Sequence, residues 1–277
     1  MKKFLLITVF FISTLAIAQN KEKIKGTKTV TIEPKEVQSF ENIQVTDNFE
    51  IFLEKGTTPA LEIEADDNLH EIIVAEVTAG TLHLSTNKKA TSFKKLSIKV
   101  IYTDDLKLIT AKDEVTVSAL SELNLDNITF KTFDYVKLFL NVKSRLFTVF
   151  ANDKSKLELN AKAEIAAVEL SKNSSMKALI SAQTLKFDMY QKSTANIEGD
   201  AVDLKLRLDN NANFTGKNLT AQTADITSES YASGNIFVNT NATINASGKS
   251  ELQIFGEPKI DLVKFSDNAV LMKKTVR

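Results

Sequence analysis

The chain contains no cysteine, and that absence removes three things together: disulfide staples, thiolate catalysis and the lipid-modified cysteine that anchors a lipoprotein. Stability must therefore come from a packed core. Tryptophan is absent as well, so an aromatic platform for sugar binding has only Tyr102, Tyr135, Tyr190 and Tyr231 to draw on. Arginine is confined to Arg145, Arg207 and Arg277, which leaves few candidates for bidentate recognition of phosphate or carboxylate. The two histidines, His70 and His83, cannot make a zinc site without carboxylate ligands, and no short metal-ligand spacing surrounds them. An excess of either charge is missing too. Setting Lys2 and Lys3 aside leaves 33 basic residues against 35 acidic ones, a formal charge of −2 that argues against an electrostatic nucleic-acid binder.

The first eighteen residues read as an export signal: Lys2 and Lys3 precede an apolar run from Phe4 to Ile12, and Ala16-Ile17-Ala18 supplies small residues at the cleavage spacing. The mature chain is expected to begin at Gln19. No second apolar run of spanning length follows, so no membrane span is expected after cleavage, and the location is periplasm, outer surface or medium. Residues 19–36 are lysine-rich and poorly patterned, a linker or a loosely attached first strand. From 37 to 277 the chain reads as a single domain. Residues 37–103 supply an N-terminal cap and first strands, 104–257 regular coils, and 258–277 a C-terminal cap. Val77-Thr-Ala-Gly-Thr-Leu82 reads as a hairpin, and Asp66-Asp67-Asn68 as the cap of one short helical turn through Ile73.

What the sequence has in abundance is a period. Between Leu106 and Gly256 two short alternating apolar runs recur roughly every twenty residues, as in Leu185/Phe187 then Ala195/Ile197, and Leu204/Leu206/Leu208 then Ala212/Phe214. The earlier first runs include Leu106/Leu108, Ile128/Phe130 and Phe147/Val149. A repeat too short to close a core alone must stack on its neighbours, and stacked pairs of short strands make an all-β solenoid, a parallel β-helix. Side chains between the apolar positions, among them Thr129, Thr148, Glu169, Lys186, Lys205 and Arg207, face outward.

Candidate chemistry lies on that outer surface. Lys186, Lys205 and Arg207 form a weak anion site, and Tyr190 and Tyr231, at turns, could make a small stacking platform for a glycan. Asp188, Glu198, Asp203 and Asp225 could approach one another across rungs and give the paired carboxylates of a polysaccharide lyase or glycosidase, but lysines are interleaved among them. The pairs Asp66-Asp67 and Asp104-Asp105 could hold Ca²⁺, yet the Gly-rich nonapeptide calcium repeat is absent. No metal and no cofactor is therefore assigned. Asparagines such as Asn152, Asn173, Asn210 and Asn211 suit turns that need left-handed backbone.

Two passages carry a family resemblance: Phe40-Glu-Asn-Ile-Gln-Val-Thr-Asp-Asn-Phe-Glu-Ile-Phe-Leu-Glu-Lys-Gly56, and Gly248-Lys-Ser-Glu-Leu-Gln-Ile-Phe-Gly-Glu-Pro-Lys-Ile260. With Ala65-Asp-Asp-Asn-Leu69 and Ala79-Gly-Thr-Leu-His-Leu84 between them, they resemble the auto-transporter adhesin head domain (GIN domain, DUF2807), common in exported proteins of Bacteroidetes. The resemblance implies a right-handed β-helix, export, and an adhesin-like or envelope role, and it carries no catalytic or binding residues to transfer. The expected function is a non-catalytic scaffold that binds a surface glycan, an envelope protein or, through the solenoid ends, a copy of itself. The alternative is a carbohydrate-active enzyme on the same scaffold.

Overall fold

The computed structural model describes residues 21–275, so the export signal read at residues 1–18 lies outside the described part. Strands take up 68% of the described residues and helix 2%, and the strands wind into a β-solenoid of about nine turns with coils of about 19 residues. The repeat is clearest in four 15-residue strands, Lys137–Ala151, Lys156–Leu170, Ser175–Met189 and Thr194–Leu208, each parallel to the next. Leu138 lies beside Leu157, Leu157 beside Met176, and Met176 beside Ala195. The register is 19 residues through these four strands, 21 where Thr116 lies beside Lys137 and 18 where Ser233 lies beside Glu251, so the period of roughly twenty averages coils of slightly different length.

A strand of that length could not stay straight around so narrow a core. In Lys137–Ala151 the buried residues are Leu138, Leu140, Val142 and Ser144, then Phe147, Val149 and Ala151. The alternation slips by one at Arg145 and Leu146, so two successive side chains point away from the core and the chain turns a corner. Large and small inward residues complement one another: Phe214 meets Phe187 edge-on at 5.3 Å, while Gly234, beside Phe214 on the next coil, has no room for a methyl group against Leu208. The expected inward columns hold with one change. Leu108 faces outward, and Ile109 and Ala111 carry the column instead, because the register pairs Ile109 with Ile43 and Phe130.

The N-terminal end is not stacked in chain order. Asn42–Val45 and Glu50–Lys55 lie between Leu108–Ala111 and Thr116–Ala119 on one side and Thr81–Thr86 and Leu96–Tyr102 on the other. The outermost coil is therefore made by later residues than its neighbour. Its open edge is covered by antiparallel strands: Ala60–Asp66 on Leu96–Tyr102, Val30–Glu36 on Ala60–Asp66, and Ile73–Thr78 on Thr81–Thr86, the last a hairpin as read from the sequence. Pro34, which cannot donate to a further strand, sits in the outermost of these.

Asp66 ties that cap together, in a different way from the one its sequence suggested. A 3₁₀ helix does run over Asp67–Ile72, but the Asp66 side chain makes no bond to it. The fully buried carboxylate instead accepts the backbone N–H groups of Lys28, Lys94 and Lys95 at 2.8–3.0 Å. Burial pushes its pKa up, but the amides of Lys95, Lys28 and Lys94 and the Lys28 charge outweigh burial and hold it below the ordinary carboxylate value. Gly26 leaves the space, since a methyl group there would collide with the Asp66 carboxylate.

The C-terminal end shows no such cover. Lys259–Phe265 and Val270–Lys274 add one more parallel layer on the preceding coil, and among the described residues nothing pairs with their outer edges. Leu262, Val263, Phe265 and Val270 are exposed there.

A groove along the turns

Beneath the outermost N-terminal coil, each coil turns at a residue with positive φ. Asp47, Asp113, Asp134, Asp153, Lys172, Gln191, Asn210, Ser230, Gly248 and Asp267 form one such column, with φ between 50° and 74°. Asp and Asn tolerate this backbone because their short polar side chains bond locally, and five of the ten are aspartates. The aspartates also join coils: the Asp47 N–H donates to the Asp113 carboxylate at 2.9 Å, and the Gly248 N–H to that of Asp267 at 3.0 Å. In the three middle coils the next residue, Asn173, Lys192 or Asn211, is left-handed too. Asn173, Asn210 and Asn211 thus have the backbone that the sequence assigned to turn asparagines.

Side chains of these turns line a shallow groove of about 730 Å³ that runs across five coils, from Asp134 and Tyr135 to Asn210 and Asn211. Successive coils present Tyr135, Lys154, Asn173, Lys192, Asn211, Tyr231 and Lys249 at one position, spaced about 4.8 Å apart. Tyr135 and Tyr231 are 54% and 61% exposed, enough to offer a ring face to a ligand. Each is backed by a lysine from the following coil: the Lys154 ammonium lies 4.9 Å from the Tyr135 ring centre and donates to its hydroxyl, and that of Lys249 lies 5.3 Å from the Tyr231 ring centre.

The residues selected from the sequence fall in two places. Lys186, Lys205, Arg207 and Tyr190 share one broad outer face, with Lys186 stacked on Lys205 and the Arg207 guanidinium 5.8 Å from the Tyr190 ring centre. Their charges are largely answered within the protein: Lys186 pairs with Asp188 at 2.8 Å and Arg207 with Glu229 at 3.3 Å. Tyr231 stands two coils away in another column, beside Lys249, and Tyr190 and Tyr231 do not form a platform together. Tyr135, which shares the Tyr231 column, was missed; its coil number relative to Tyr231 was the available signal.

The four carboxylates proposed as a catalytic set are likewise separated. Asp188 is stacked on Arg207, Asp225 on Lys205, Asp203 accepts the Thr223 hydroxyl at 2.7 Å, and Glu198 takes the Asn218 amide. Asp188 does have a carboxylate neighbour, Glu169, on the opposite side. Among the described residues no group of three His, Cys, Asp or Glu could hold a metal ion. His70 bonds Thr31 and faces Glu33, His83 stacks beside Gln44, and Asp104 pairs with Lys55. Among the same residues no helix is long and apolar enough to cross a membrane.

The sequence matches the family described as "Putative auto-transporter adhesin, head GIN domain" over residues 39–258, most of the chain. The chain belongs to the GIN-domain family. Its solenoid is shared with solved structures of low sequence identity. A "putative adhesin" from Parabacteroides distasonis is 16% identical with a TM-score of 0.68, covering 92% of this chain and 100% of that one. One from Parabacteroides merdae is 16% identical at 0.64, covering 92% and 98%. A "putative lipid binding protein" from Parabacteroides distasonis is 14% identical at 0.60, covering 92% and 100%. At such identity these likenesses establish the fold of the GIN domain. No curated protein sequence matches the chain.

Proposed function

We propose that this GIN-domain protein is an exported, non-catalytic adhesin head whose turn edge binds a polymeric ligand of the cell envelope, a surface glycan in the first instance. The observation that carries this reading is the continuity of the groove: five coils present polar and aromatic side chains in line, at a repeat set by strand spacing. A deep apolar pocket suits a small molecule, whereas a long shallow row suits a chain that makes many weak contacts. Family membership supports export and an adhesin-like role. The broad face with Lys186, Lys205 and Arg207 serves this reading less well, since acidic neighbours already hold two of the three.

The test is retention of the purified mature chain on envelope fractions and on an array of surface polysaccharides. Tyr135→Ala and Asn173→Ala should lower retention, and variants of the broad face should leave it unchanged. Retention lost only on the broad face would overturn the assignment of the turn edge. Fractionation of cells into periplasm, outer membrane and medium decides the compartment. The enzymatic alternative now rests on the Glu169–Asp188 pair, which lies outside the groove. Polysaccharide turnover abolished by Glu169→Gln or Asp188→Asn would replace the adhesin reading with it.

A further inference from the structure

The three middle turns differ from those on either side in the direction of their cross-coil hydrogen bonds. The N–H groups of Tyr135, Lys154 and Lys249 donate backward, to the carbonyls of Asp113, Asp134 and Ser230 on the preceding coil. With two successive left-handed residues the turn peptide is reversed, and the N–H groups of Asn173 and Lys192 donate forward, to the carbonyls of Gln191 at 3.1 Å and Asn210 at 2.9 Å. The two directions cannot meet without leaving groups over. Where they diverge, the carbonyls of Asp153 and Lys172 have no backbone partner. Where they converge, the N–H groups of Asn211 and Tyr231 have none among the described residues.

Asn211 and Tyr231 occupy equivalent exposed positions on neighbouring coils, so their two free donors are about 4.8 Å apart. Lys192 precedes them in the same column and Lys249 follows. Neither lysine has a carboxylate within salt-bridge distance among the described residues, in contrast to Lys172, Lys186 and Arg207. Backbone N–H groups left free between two unneutralised cations form an anion-binding concavity, because an anionic oxygen satisfies the donors and both charges together.

The geometry points to an acidic polysaccharide as the ligand of the turn edge, with one acidic group held just past the Asn211 end of the groove by the Asn211 and Tyr231 N–H groups between Lys192 and Lys249. The free Asp153 and Lys172 carbonyls, farther along, accept its hydroxyls. This deepens the proposed function and rests on the turn edge being the ligand surface. Carboxylate and sulfate present the same chemistry to such a site, so the test must separate them.

Binding of the full mature chain is measured to immobilised polygalacturonate, dextran sulfate and unmodified dextran. The expected result is capture by an anionic polymer, weakened by rising salt and reduced about tenfold in the K192E/K249E double variant. Stronger capture by polygalacturonate assigns a carboxylate, and stronger capture by dextran sulfate assigns a sulfate ester. The control K143E/K162E reverses two stacked, exposed lysines on another face and should change affinity less than about twofold. All four lysines are exposed, so thermal melting should show each variant folded. An equal loss in both double variants overturns the inference, as does capture by none of the three polymers. Undiminished capture of neutral dextran that Tyr135→Ala abolishes also overturns it, while sparing the turn edge as the ligand surface.

Discussion

The two ends of the solenoid face the same physical problem and meet it differently. Each exposes strand edges that could template pairing with another chain. At the N-terminal end the outermost coil is covered by antiparallel strands, bolted through one buried carboxylate and edged by Pro34. At the C-terminal end the coil is simply repeated, with lysines at 259, 264, 273 and 274 as the charged guard of its edges. The difference shows that a repeat can be extended by periodic sequence alone, while closing it takes contacts between residues far apart in the chain.

The comparison can be broken most directly at Asp66. Asp66→Ala should cost roughly 3 kcal/mol in chemical denaturation, since it removes the one acceptor that three part-buried backbone donors share, and hydrogen exchange should rise first in Val30–Glu36 and Ala60–Asp66. An effect spread evenly over all coils would deny the carboxylate its local role. Acid should mimic the mutation. Because the folded pKa is depressed, the stability Asp66 contributes is present above the ordinary carboxylate pKa and is lost as pH falls through the folded value. Hydrogen exchange as pH drops below about 4 should therefore open the N-terminal cap before the middle coils, and Asp66→Asn should flatten that dependence.

A smaller effect is expected at the other end. Deleting residues 259–275 should leave the preceding coils folded by circular dichroism, with a stability loss below that of Asp66→Ala, because each coil contacts only its neighbours. Collapse of the whole domain would show that the last layer is a cap in its own right. Smaller still, and of opposite sign, is the response of orphaned hydroxyls. The buried Tyr102 hydroxyl has no partner, and burial, aided by the Asp104 charge, pushes its pKa up to about 12. Tyr102→Phe should stabilise the N-terminal end by about 1 kcal/mol, read as a rise in melting temperature. Last, Val263→Lys, at a residue 69% exposed, should alter stability by less than about 0.5 kcal/mol while lowering any concentration-dependent light scattering.

The coil, its inward columns and the family were legible in the sequence, since a side-chain period of two is a local property: Phe130, Phe187 and Phe214 could be assigned to the core by counting. The errors came where locality failed. Leu108 alternates with Leu106, yet lies outside because a strand more than sixty positions earlier sets its register. Tyr190 and Tyr231 both sit at turns, and only the stacking shows that they belong to different columns.

The sequence by itself determined that this chain must stack, what fills its interior, and which residues are left for the surface. Tertiary structure decided the rest: that the coil at residues 42–55 is inserted beneath a later one, that Asp66 serves three distant amides instead of its own helix, and that the middle turns reverse their hydrogen bonds. The reason is common to all three. Alternation and turn preference act over a few residues, whereas each of these outcomes depends on which backbone groups from remote segments find partners and which are left free.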